Sequence, residues 1–585
     1  MSQNDTKQGN GDVFSSPDRD GFIHRAFMRG AGHSAAAIRR RPVIGICNSF
    51  SELNPCNAGL RDLARSVKQG VIAAGGFPLE FPTISLAEPF IRPSTLYLRN
   101  LMAIDVEEMI SSSPIDAVVL LGGCDKTVPA QLMGAISAGK PAMIVTAGPR
   151  AVGRLHGAPL TIDDLWTLSD RRRSGDLGED EWQTVEGLLV PGVGTCNVLG
   201  TAVTMAMIAE TLGMSLPGSS LLPATSGARA AVAEETGRRA VELARSGQPP
   251  TDFVTLAALE NAFRMLCAVS GSTNAVIHLE AIAGRIGHRL GMRAMAEWSE
   301  STPVLAQVRP SGPHLLEDLD EAGGLPAVLK ELQPLLHTDA LAGTGETWAR
   351  ILSRVTRRDN PALRPAADPV FAAGGLAMLH GTLAPAGAVL KRSAADPRLW
   401  RHRGPAVVFD GVADLHARID DPDLDITEDS VLVLRGAGPV GGPGMPEVGQ
   451  LPIPGRLLHK GVSDMVRISD ARMSGTATGT VVLHVAPEAA EGGPLALVRN
   501  GDPIVLDALD GRLDLDVDQA ELRRRTPAVT APAPRRGYAA LYRRHITQAP
   551  EGCDFDFLTA TPQPSPAVPA LPVVPTAPAV PADRP

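Results

Sequence analysis

The chain has 585 residues, with 55 Lys and Arg against 64 Asp and Glu and a formal charge of −9. That acidity excludes a basic nucleic-acid surface, and an aromatic content of only 4% excludes an RNA stacking platform. A hydrophobic fraction of 44% is ample for large cores, which Ala, Val, Leu and Ile must fill.

Residues 1–20 are polar and read as disordered. They lack the basic start and apolar core of a signal peptide. From 21 to 370 the pattern is α/β. PVIGIC, IDAVVLLGG and PAMIVTAG are continuous apolar runs separated by stretches of helical spacing. Strands of that kind predict a parallel sheet covered on both faces. The section around 291–368 reads as mainly helical.

Residues 371–560 change texture. Short strands at close spacing (PAVVFDG, SVLVLRG, MVRISD, TGTVVLHV, PIVLDALDGRLDLDV) predict a β-rich, barrel-like second domain. Residues 561–585 hold nine prolines and read as an extended disordered tail. The most apolar long stretch, near Asn197–Ala209, is shorter than the roughly 20 residues of a membrane span. Six cysteines in this length make no secreted disulfide framework. A cytoplasmic protein with reduced thiols and no membrane or nucleic-acid partner is expected.

Three of those cysteines occupy similar places. Cys56 follows the run PVIGIC, Cys124 follows VVLL, and Cys196 precedes a long helical pattern. In an open parallel sheet, loops at the carboxyl ends of strands converge on one crevice. Three thiolates there suit an iron–sulfur cluster with an open iron, or zinc, while three small buried cysteines are the plainer alternative. Hard ligands lie close by: Asp125 and Lys126 follow Cys124, Glu88 lies in SLAEPFIRPS, and Glu447 lies in GAGPVGGPGMPEVGQ. Carboxylates on open loops suit Mg²⁺. Ser474, in RISDARMSGTATGT, is not in a GxSxG elbow, and by itself reads as a turn serine.

CDKTVPAQLMGA and ISDARMSG resemble the two signatures of the dihydroxy-acid dehydratase and phosphogluconate dehydratase family, and NPCNAGL, GTCNVLGTA and GSTNAVIHLEAIAGRIG resemble further blocks of it. SLAEPFIRPSTLYLRNL, GPGMPEVGQLPIP and GCDFDFL resemble its sugar-acid (pentonate) branch. The resemblance implies an N-terminal α/β part and a C-terminal β-rich barrel with the active site between them, and a homodimer or homotetramer. It implies a hydro-lyase that converts a 2,3-dihydroxy sugar acid, such as an arabinonate, to a 2-keto-3-deoxy acid. Cys56, Cys124 and Cys196 match the ligands of a [2Fe-2S] cluster. Glu88, Asp125 and Glu447 match Mg²⁺ ligands, with Lys126 as a carbamylated lysine on the same metal. Ser474 matches the catalytic base, and Thr476 lies beside it.

There are departures. Ser270 replaces the first glycine of the GGSTN block, and GTATGT follows Ser474 where relatives often carry an aromatic residue. The competing readings are a dehydratase for branched 2,3-dihydroxy acids and a zinc or metal-free binding protein that lost catalysis. His278 and His484, and Cys47, Cys267 and Cys553, read as structural.

Overall fold

The computed structural model describes residues 11–38, 41–448, 450–528 and 534–560. The disordered segments expected at 1–10 and 561–585 lie outside the described residues. Residues 11–20 do not match the expected disorder. Helices span Gly11–Ser15 and Arg19–Gly30, and Phe14 is buried. The signal was local: Asp18 caps the second helix by accepting the Gly21 amide at 2.7 Å.

The first domain is built on β1 (Val43–Asn48), β2 (Phe77–Pro82), β3 (Ala117–Gly122) and β4 (Ala142–Thr146). They form a parallel sheet in the order β2-β1-β3-β4. β1 and β3 are buried throughout. Alternate side chains serve two cores, as a strand's period of two requires. Ala117, Val119 and Leu121 pack with the helices Leu60–Ala73 and Gly227–Ser246. Val118 and Leu120 pack with the helices Thr95–Ser112 and Thr127–Ala138. The chain leaves β1 toward β2 and leaves β3 toward β4, so the switch point lies between β1 and β3.

A hairpin, β5 (Gly153–Leu155) and β6 (Ala158–Leu160), turns at His156-Gly157, both with positive φ. It leads into the helix Asp164–Arg173. Three helices, Thr201–Thr211, Leu256–Ala268 and Asn274–Arg285, are buried on nearly every face, as their apolar sequences demand. The section after 291 is helical in short pieces only, at Met292–Glu300, Leu316–Glu321, Gly324–Glu331 and Trp348–Leu352.

The second domain is an eight-stranded sheet. Its strands are β7 (Ala377–Leu379), β8 (Gly387–Leu390), β9 (Arg401–Asp410), β10 (Val431–Arg435), β11 (Arg467–Ser469), β12 (Val481–Ala486), β13 (Pro503–Asp507) and β14 (Arg512–Leu515). The order is β14-β13-β9-β10-β11-β12-β8-β7. A bridge from His380 to Arg512 joins the two ends, so the sheet nearly closes into a barrel. β9 to β12 run parallel, and the loops after β10 and β11 face the first domain. Among the described residues no helix is long and apolar enough to cross a membrane.

Candidate active site

Every predicted ligand but Cys196 sits in a loop beyond the carboxyl end of a strand. Cys56 lies between β1 and the helix Leu60–Ala73, and Cys124, Asp125 and Lys126 join β3 to the helix Thr127–Ala138. The two loops flank the switch point. Cys196 follows no strand. Thr195 pairs with Pro149 in an isolated parallel bridge, which carries the segment alongside the extension of β4. Glu88 follows β2, Glu447 follows β10, and Ser474 and Thr476 follow β11.

Close packing of backbones brings the thiol loops together. A Cβ on Gly123 would come within 2.5 Å of the Ala147 side chain and 3.1 Å of the Cys56 carbonyl, so only glycine fits. Asn57 accepts the Cys124 amide at 3.1 Å and donates to the Ser49 carbonyl at 3.1 Å, tying the β1 and β3 loops. The Cys56 and Cys124 thiols act on each other, and Arg150 Nη2 stands 3.5 Å from Cys56 Sγ. These two contacts hold the Cys56 thiol below its usual range despite burial. The neighbouring Cys56 thiol and burial push Cys124 up, and burial and the Cys56 charge push Cys196 up. Neighbouring thiols that raise one another in this way cannot all ionise unaided. Cys196 also feels the charges of Asp125 and Glu447, so thiols and carboxylates share one field.

The carboxylates of Glu88, Asp125 and Glu447 each place an oxygen within 4.8 Å of the others. Lys126 is fully buried among them, its Nζ 3.4 Å from Glu88, 3.6 Å from Asp125 and 4.0 Å from Glu447, with no hydrogen bond formed. Arg472 joins the two domains here. It donates to Glu447 at 2.9 Å, to Glu88 at 2.8 Å and to Ser94 Oγ at 2.9 Å. Burial alone would raise Glu88, but Arg472 and Lys126 hold it below the usual carboxylate range. Burial and the Glu88 charge push Glu447 up to about 7, and burial also raises Asp125. Three crowded carboxylates around an amine that forms no hydrogen bond fit a divalent cation, and thiols as a donor type suit a soft metal.

Ser474 is linked to this pocket through Asn274. The Asn274 amide donates to the Met473 carbonyl at 3.0 Å and lies 3.4 Å from Glu447. A Cβ on Gly475 would meet the Thr201 amide at 2.7 Å, so the turn after Ser474 presses against the first domain. Ser474 Oγ and Thr476 Oγ1 are 2.8 Å apart, and the Thr476 amide donates to Ser474 Oγ at 3.3 Å. Trp166 Nε1, which can only donate, reaches Thr476 Oγ1 at 3.0 Å. Thr476 therefore has its own hydrogen free for Ser474. A cavity of about 460 Å³ opens beside Thr476, lined by Asp163, Asp164, Trp166, Arg309, Gln450 and Thr478 among others. A larger one of about 860 Å³ along the edge strand β2 touches none of the predicted residues.

The chain matches the models for the dihydroxy-acid/6-phosphogluconate dehydratase N-terminal region over residues 41–351 and C-terminal region over residues 361–553. It belongs to that family. The family's relatives are named dehydratases, and the chain is a hydro-lyase. An L-arabonate dehydratase of Azospirillum brasilense is 48% identical over 94% of this chain and 96% of its own length. A 6-deoxy-6-sulfo-D-gluconate dehydratase of Pseudomonas putida is 47% identical over 92% and 94%. A dihydroxy-acid dehydratase of Moorella thermoacetica is 38% identical over 90% and 97%. The chain thus stands nearer the sugar-acid branch of its family.

Arg472, Arg150 and Trp166 were not predicted, although Arg472 lies inside the quoted segment ISDARMSG. His278 and His484 are buried and pushed down by burial, His484 to about 3. His278 takes part in a contact with Arg99 at 3.1 Å. Cys47, Cys267 and Cys553 are buried, and burial raises each thiol.

Proposed function

We propose that this family member removes water from a 2,3-dihydroxy sugar acid, an aldonate of the L-arabinonate type, to give a 2-keto-3-deoxy acid. The observation that carries the reading is the cluster of Glu88, Asp125 and Glu447 around buried Lys126, with Asn274 linking Glu447 to the loop of Ser474 and the cysteines in the same electrostatic field. The names of three relatives at 46–48% identity support a sugar acid. So does the polar cavity beside Thr476. Hydroxyls on a substrate tail need such partners, because an unmatched buried polar group is costly, whereas a methyl-bearing tail needs none.

Cys56, Cys124 and Cys196 would hold a [2Fe-2S] cluster as thiolates. Glu88, Asp125 and Glu447 would hold Mg²⁺, with Lys126 as its carbamate, which replaces a repelled ammonium by an anionic oxygen ligand. When bound, the two centres supply Lewis-acid polarisation of the substrate's oxygens. Ser474 Oγ takes the proton from the second carbon. Thr476 donates to that oxygen from its hydroxyl and its amide, and so favours the charged form. Trp166 fixes the Thr476 hydroxyl in the donating direction. Asn274 holds the Met473 carbonyl and so sets where Ser474 points. Arg472 neutralises Glu88 and Glu447 and locks the two domains in register.

The test is anaerobically prepared protein assayed for 2-keto acid against a panel of aldonates and 2,3-dihydroxyisovalerate. Turnover of an aldonate in preference to the branched acid is expected. Preference for the branched acid would move the chain to the other branch, and no turnover of either would end the dehydratase reading.

A further inference from the structure

Lys391 is a buried amine that nothing above uses. It follows β8, and its residue is only 7% exposed. Its Nζ has no hydrogen-bond partner among the described residues. An isolated buried ammonium is among the most expensive groups a fold can carry. The register shows where it sits. Leu390 pairs with Val482 of β12, and the Gly479 amide donates to the Ala394 carbonyl at 2.9 Å. These contacts lay the segment after β8 along the loop that carries Ser474. Lys391 and Ser474 line the same enclosed cavity, with Ser272, Thr273 and Gly475. About 10 Å³ of it is open to a water's centre, roughly the space one water needs.

We propose that Lys391 is the positioning residue that arms Ser474, by accepting its hydroxyl proton through a single water in this cavity. The inference rests on the dehydratase reading of Ser474. The Ser474 O–H bond breaks, the water gains that proton and passes one of its own to Lys391 Nζ. The products are an alkoxide and an ammonium, with no change in net charge. The alkoxide then takes the proton from the substrate's second carbon and becomes a hydroxyl again. That proton leaves with the departing hydroxide as water, which restores the alkoxide, and Lys391 stays an ammonium as its counter-charge. Burial alone pushes Lys391 down to about 7, so the neutral amine needed for the first transfer is accessible near neutral pH. Thr476, itself held by Trp166, contacts the same Ser474 oxygen.

The test is Lys391→Met, with Lys391→Gln as a second variant, in holoenzyme with iron content matched to wild type. Wild type and Ser474→Ala are run alongside. Met replaces an unpaired amine by an apolar chain of similar length, a change expected to be neutral or stabilising for the fold. The expected result is a fall in kcat of about 100-fold with KM near wild type. The deuterium isotope effect on kcat, for substrate labelled at the second carbon, should rise, because proton abstraction becomes slower. A variant within about twofold of wild-type kcat would overturn the proposal. So would a slowed variant with an unchanged isotope effect, or loss of folding in both variants, since each marks a structural amine. An inactive wild type, or an active Ser474→Ala, would instead sink the reading of Ser474 as base.

Discussion

Two clusters of buried charge in this chain differ in one respect. Around Arg99 and Arg285, both guanidinium groups have their acceptors, although Nε2 of the neighbouring His278 has no partner. Arg99 donates to the Gly552 and Cys553 carbonyls at 2.9 and 2.6 Å and to Asn100 at 2.8 Å. Arg285 is bidentate to Asp554 at 2.8 and 3.0 Å and also reaches Ser137 at 3.0 Å. Around Glu88, Asp125 and Glu447 the valences stay open. Lys126 Nζ, Asn274 Oδ1 and Arg472 Nε are all buried without a hydrogen-bond partner. A satisfied cluster fixes the packing of the C-terminal segment on the first domain. A cluster left open has been shaped for something other than the fold, because unmet buried polar groups destabilise it.

The sharpest way to break this contrast is at Ser474. Ser474→Ala should lower kcat by at least about 10²–10⁴-fold, the usual worth of a general base, with thermal midpoint and visible absorbance unchanged. Arg285→Met should do the reverse. It strands buried Asp554 and should cost about 3–5 kcal/mol in denaturant unfolding, while the folded fraction keeps its kcat. If both variants lose stability alike, the two clusters do not differ in kind. Depleting dissolved CO₂ during metal reconstitution should lower activity several-fold if Lys126 is a carbamate, with recovery on adding bicarbonate. Unchanged activity would leave Lys126 an ordinary counter-ion. The smallest effect is expected at Trp166. Trp166→Phe removes one donor to Thr476 and should slow kcat about fivefold, the rate equivalent of roughly 1 kcal/mol.

Much of the fold was legible because it is written locally. The apolar runs of β1, β3 and β4 and the strand-rich texture after 371 appear where expected. β7 and β8 were missed, being runs of three and four residues with no alternation to detect. Residues 11–20 were missed because polar composition outweighed a single capping aspartate. The same divide runs through the site. Cysteines and acids at strand ends have a positional signal, and the family resemblance named them. Arg472 and Trp166 act on residues 384 and 310 positions away, so no local spacing could point to their partners. No motif surrounds Lys391, and only its burial without a counter-ion among the described residues sets it apart.

The most direct measurement is iron and acid-labile sulfide in anaerobically purified wild type, compared with Cys56→Ser, Cys124→Ser and Cys196→Ser. Iron and sulfide in equal amounts in the wild type, lost together with aldonate turnover in every single variant, is the predicted result. Wild-type protein that turns over aldonates without iron, or a variant that keeps its full iron, would contradict a cluster held by these three sulfurs.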